Sequence, residues 1–135
     1  MSLRARVFAI ALTVLAVSSA HAQDAAFEKL VGTWKGKVDL TDEPERTLVV
    51  KSVSREGDVW IATVEFGPTG KPLSLLPARV EKHGGGTMLS FPISATRKVE
   101  LSLVSERELR GSLKVSAEGS WVVRKMVLTK TSDKP

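Results

Sequence analysis

The sequence predicts an all-β domain, an eight-stranded antiparallel up-and-down barrel with a short N-terminal helix after a signal peptide. Three observations carry this. From Gly32 onward apolar and polar residues alternate with a period of two to the end of the chain, as in strands with one buried and one wet face. Turn signals interrupt the alternation at seven places, and seven connections join eight strands. Eight short strands with tight loops then account for nearly all of the chain beyond the N-terminal segment. Such spacing implies antiparallel neighbours, and closing the meander removes two exposed edges. A two-sheet sandwich is the competing arrangement.

The first segment is read apart from the rest. Arg4 and Arg6 precede the apolar run Val7–Val17, and Ala20-His21-Ala22 follows. This is the order of a secretory signal peptide: basic region, short apolar core, small-residue cleavage site. Removing 22 of the 135 residues leaves 113 and lowers the net charge from +5 to +3. The expected organisation is signal peptide 1–22, one barrel domain 23–131 and a C-terminal tail 132–135. The apolar run is shorter than the ~18 residues a membrane span needs, and no other run approaches that length. No cysteine is present, which excludes a disulfide, a thiolate metal site, a cysteine nucleophile and a lipidated cysteine. The protein is expected to be exported, periplasmic or secreted, and held together by its core alone. Its size and mild charge exclude a multidomain enzyme and a histone-like nucleic-acid binder.

The elements follow in order. Asp24 is placed to cap a helical turn in which Phe27, Leu30 and Val31 share one face. Gly32 stops it. Trp34, Gly36, Val38 and Leu40 then form the inward face of a first strand, ended by Thr41–Glu45 with Pro44. A second strand runs to the turn Glu56-Gly57-Asp58. Trp60, Ala62, Val64 and Phe66 share one face of the third, which ends at Gly67–Pro72. The fourth and fifth strands meet at the glycine-rich turn His83–Gly86, and Pro77 and Pro92 mark bulges or strand ends within them. After Ala95-Thr96 the inward residues Val99, Leu101 and Leu103 define a sixth strand. Leu109, Gly111, Leu113 and Val115 define a seventh between the turns Ser105–Glu108 and Ser116–Gly119, and the eighth completes the barrel.

The stretch Phe27-Glu28-Lys29-Leu30-Val31-Gly32-Thr33-Trp34-Lys35-Gly36 resembles the opening of lipocalin-like, or calycin, barrels. In those a short helix precedes Gly-x-Trp at the start of the first strand. The resemblance implies that Trp34 closes the barrel floor. Family members also pack an arginine across that tryptophan. Here the basic residues near the end of the last strand are Arg124, Lys125 and Lys130, and pairing of last strand with first brings Lys130 closer to Trp34 than Arg124. The chain departs from many lipocalins in being shorter and in lacking a disulfide. Avidin barrels are closer in length, but the chain has no tyrosine and no recognisable set of biotin contacts. It is also similar to small exported bacterial barrels of unassigned function.

The side chains that carry chemistry are sparse. His83 is the one histidine beyond the signal peptide. With Gly84-Gly85-Gly86 it resembles a lipase oxyanion loop, but no Gly-x-Ser-x-Gly accompanies it, so a hairpin turn is the simpler reading. A zinc site lacks clustered ligands. Asp42, Glu43 and Glu45 lie in one turn and Glu106 and Glu108 in another, where solvation opposes acid–base work. No phosphate-cradling loop is present. Lys35, Lys37, Arg110 and Lys114 fall outward on the first and seventh strands, flanking the last strand. They form either a basic stripe able to meet anionic headgroups or a solvated face. Stacking aromatics for nucleic acid do not accompany them.

No catalytic residue, cofactor or metal ligand is therefore expected. The expected function is a non-enzymatic exported barrel that binds a small apolar or amphipathic ligand. Leu40, Phe66, Ile93, Val115 and Trp121 would line the rim and interior, with Trp34 at the floor and entry under the Gly67–Pro72 loop. The alternative is a filled barrel acting as a protein-interaction or inhibitor module, since eight strands are just wide enough to fill themselves or to hold one small ligand. Exposed Leu73, Leu75 and Leu76 over a packed interior would favour a protein partner. No transmembrane span is expected.

Overall fold

The computed structural model describes residues 25–39 and 42–135. The expected signal peptide 1–22, the expected helix cap Asp24, the expected rim residue Leu40 and Thr41 of the first expected turn lie outside these. A helical turn at residues 25–28 leads into eight strands: β1 Gly32–Val38, β2 Arg46–Glu56, β3 Val59–Pro68, β4 Ser74–His83, β5 Gly86–Ser94, β6 Arg97–Ser105, β7 Glu108–Ala117 and β8 Ser120–Ser132. Each pairs antiparallel with the next, and β8 returns to β1, so the sheet is a closed barrel in sequence order and not a sandwich. Each of the seven expected turns falls at a junction of consecutive strands, although end residues of several, such as Gly67, Pro68, Ser116 and Ala117, belong to the strands themselves.

The alternation read from the sequence sets which side chains meet on the axis. Trp34 and Val38 of β1, Leu48 and Val50 of β2, Ala62, Val64 and Phe66 of β3 and Ala78 and Val80 of β4 are buried. So are Leu89 and Phe91 of β5, Val99 and Leu101 of β6, Leu109 and Leu113 of β7 and Met126 and Leu128 of β8. Each large apolar side chain so buried contributes about 1.5–3 kcal/mol, which is how a cysteine-free chain holds this shape. In β2 the period slips at Lys51, where a bulge between Val50 and Ser52 returns Val53 to the inner face opposite Ala62.

Two glycines of the inner face mark where the barrel is tightest. A Cβ on Gly36 would coincide with the carbonyl oxygen of Val127 in β8, and one on Gly111 with that of Glu100 in β6. At both places only a residue without a side chain lets neighbouring strands coil this closely.

The floor is built by the segment before β1. Phe27 and Leu30 are buried under it, and Phe27 meets Trp60 edge-on at 4.9 Å between ring centroids. The Trp34 indole N–H donates to the Leu30 carbonyl at 2.9 Å, so the ring fills the floor with its polar atom satisfied. Past β8 the chain stays attached, since Thr33 Oγ1 donates to the Lys134 carbonyl at 2.9 Å.

Candidate functional site

The rim and lining residues read from the sequence separate into different places. Phe66 and Ile93 lie inside the wall formed by β3 to β5. Phe66 meets Phe91 edge-on at 5.3 Å, and Ile93 packs against the same cluster. Val115 lies on the inner face of β7, on the other side of the barrel. Trp34 sits at the floor. Trp121 is not a lining residue: it pairs with Ser116 on the outer face and is 49% exposed. The inward set of β8 is Met126, Leu128 and Lys130, so every odd-numbered residue of that strand faces out. The run Trp121-Val122-Val123 is apolar on both faces, which is why alternation alone pointed the wrong way.

The Gly67–Pro72 loop lines none of the depressions described below. It is drawn back onto β2 by a hydrogen bond from Thr69 N to the Glu45 carbonyl at 2.8 Å and by the paired hydroxyls of Thr47 and Thr69 at 2.7 Å. The mouth depression lies on the opposite side, across β6 to β8, with a volume of about 260 Å³. The ladder places Arg97, Val115 and Val122 in one inward row and Val99, Leu113 and Arg124 in the next. An apolar ledge thus carries two guanidiniums, neither with an ion-pair partner among the described residues. Nearby, Glu43 pairs with Arg46.

A second opening lies in the wall itself. The β4–β5 hairpin turns at Gly84-Gly85, with φ of 57° and 83°, the two-residue turn in which the flanking pair His83 and Gly86 exchange hydrogen bonds. Such pairs recur every second residue along an antiparallel ladder, so Glu81 with Met88 and Arg79 with Ser90 are also hydrogen-bonding pairs. The next in register is Pro77 opposite Pro92. Neither proline has an N–H, so both hydrogen bonds of that pair are lost. The β4–β5 ladder stops at Arg79 and Ser90, while β4 stays paired with β3 through Ser74 and β5 with β6 through Ser94.

The outcome is a seam between Ser74–Ala78 and Phe91–Ser94, with a groove of about 510 Å³ directly over it. Pro77 and Pro92 form its lips, and the inward residues Ala78 and Phe91 line it from below. The small side chains of Ala62 and Ala78, paired across β3 and β4, leave the Phe91 ring as the main bulk behind the opening. The groove's charges are matched internally, Arg79 with Glu81 at 3.6 Å and Lys98 with Glu100 at 3.4 Å. The Lys114 ammonium bonded to Glu100, assisted by Lys98, holds the Glu100 carboxyl below the ordinary carboxylate range against the opposing effect of burial.

The residues weighed for catalysis do not converge. His83 is exposed at the floor-end hairpin. Glu106 pairs with Lys29 at 3.3 Å, and Glu108 with Arg110 at 2.7 Å. Among the described residues no group of three or more His, Asp or Glu is placed to hold a metal ion, and no helix is long and apolar enough to cross a membrane. Comparison with protein families, with curated proteins and with solved structures finds no match.

Proposed function

We propose that this chain is an exported, non-enzymatic, lipocalin-like barrel that takes a small apolar or amphipathic ligand at the β4–β5 seam. The observation that carries the reading is the opposition of Pro77 and Pro92, which opens the wall beside Phe91 and under a groove large enough for a small molecule. A groove with internally neutralised charges favours an apolar chain over an ion. Arg97 and Arg124 at the mouth favour an anionic head on ligands that reach it. The lipocalin-like reading rests on the helix, Gly32-x-Trp34 and the floor geometry, and the exported location on the sequence of residues 1–22.

The test is displacement of a fluorescent fatty-acid analogue, with mass spectrometry of the natively purified protein for a retained ligand. Binding weakened by Phe66→Asp and by the double variant Pro77→Val/Pro92→Val supports the reading. Absence of both a retained ligand and displaceable binding overturns it. A filled barrel serving a protein partner is the second reading. It is favoured by the large apolar side chains buried on the axis and by Leu75, which is 64% exposed beside the seam, whereas Leu76 packs on the core.

A further inference from the structure

The outer wall opposite the seam carries an arrangement that ligand binding does not use. Along β8 the outward side chains are Trp121, Val123, Lys125 and Val127, and the three apolar ones are exposed, Val123 by 57%. Large apolar side chains in a row on one strand are not explained by the core, which β8 serves through Met126, Leu128 and Lys130. The neighbouring strands frame this spine with cations. Lys37 of β1 pairs with Val127, and Lys35 with Thr129. On the other flank Arg110 of β7 pairs with the same Val127, and Lys114 with Val123. Glu108 pairs with Arg110, and Glu100 is shared between Lys114 and Lys98. Lys35, Lys37 and Lys125 have no ion-pair partner among the described residues. The Trp121 ring, half exposed, has the Lys98 ammonium 5.2 Å from its centroid.

We infer that this face docks on an anionic lipid surface. An apolar spine with a tryptophan at one end suits the headgroup level of a bilayer, where an amphipathic ring is stable. Unmatched lysines beside it draw the domain to negative headgroups, each contributing separately. A protein partner of ordinary polarity would leave those ammonium groups desolvated without carboxylates. A second copy of this chain would set like charges against each other. Nucleic acid would need more exposed rings than Trp121, the one large exposed aromatic among the described residues.

The experiment is sedimentation and fluorescence of the full chain with phosphatidylcholine vesicles, alone or equimolar with phosphatidylglycerol. Trp34 is buried and Trp60 half-buried, so Trp121 reports contact with lipid. The expected result is binding to the anionic vesicles only, weakened by salt, with a blue shift of emission. Lys35→Gln/Lys37→Gln/Lys125→Gln should weaken binding by about tenfold or more, and Trp121→Ser should abolish the shift. All variants keep residues 1–24, so any lipid affinity of the Val7–Val17 run is common to them. Equal binding by the triple variant overturns the inference, as does a shift that persists without Trp121. Self-association through Trp121 in place of vesicle binding also overturns it. The substitutions are on the outer wall, and unchanged thermal unfolding identifies variants that remain folded.

Discussion

The Lys130 ammonium lies 5.3 Å from the centroid of the Trp34 ring, and both side chains are buried at the barrel floor. The two residues pair directly across β1 and β8. Lys130 also donates to the Lys29 carbonyl at 2.9 Å and meets Asp133 at 3.2 Å. One cation thereby ties three parts of the chain together: the segment before β1, the floor tryptophan and the chain end. A buried ammonium is tolerated because the ring face, a carbonyl and a carboxylate share its charge.

Lys130→Met is therefore expected to lower stability by about 1–3 kcal/mol, since it keeps the aliphatic bulk but removes these partners. Urea unfolding followed by Trp34 fluorescence measures it. An unchanged midpoint would show that the floor is held by packing alone. Trp34→Phe should cost a similar amount by leaving the Leu30 carbonyl unbonded.

Gly36→Ala and Gly111→Ala should each destabilise by about 2–4 kcal/mol, because each new methyl meets a backbone carbonyl of the adjacent strand that cannot swing aside. Gly70→Ala provides the comparison: nothing lies near its Cβ, and its cost comes only from a φ of 82°. Thermal unfolding of the three variants should rank Gly70→Ala as the mildest.

Pro77→Val/Pro92→Val supplies the two missing N–H groups and should extend the β4–β5 ladder toward the mouth. Amide exchange at residues 75–78 and 91–94 is expected to slow. The change in global stability should stay within about 1–2 kcal/mol, since new hydrogen bonds are offset by a more flexible unfolded chain. Exchange as fast as in the parent would mean that something other than proline holds the seam apart.

Glu100 sets an acid limit. Its carboxyl is held below the usual value of 4.5 by its hydrogen bond to Lys114 and by Lys98. The carboxylate's stabilisation is complete above its unfolded-state pKa and is lost as pH falls through the lower folded-state value. Unfolding midpoints measured downward from neutral pH should fall below about pH 4.5, and less steeply in Glu100→Gln. Identical acid profiles would remove Glu100 from the account.

How much of the site was legible in the sequence varies by residue. Trp34 at the floor beside Lys130 follows from the short helix, the Gly-x-Trp start and the closure of last strand on first. The seam was legible too. Pro77 and Pro92 stand equally far from the Gly84-Gly85 turn, so a two-residue hairpin must oppose them, yet reading each proline singly showed only a bulge or strand end. Trp121 was not legible, because Val122 and Val123 beside it are apolar as well and the period carries no phase there. Arg97 and Arg124 were not read as rim residues, Arg124 being weighed only against Trp34, because an inward position at a wet rim tolerates charge.

By itself the sequence determined strand number, order and turn positions, since period-two burial and turn chemistry are local properties of the chain. Which wall opens, which face of β8 meets solvent and which cations lack partners depend on register between strands, where a shift of one residue exchanges inside for outside. Only the closed barrel decides that register, through the tight approaches at Gly36 and Gly111, the bulge at Lys51 and the pairing of Trp34 with Lys130.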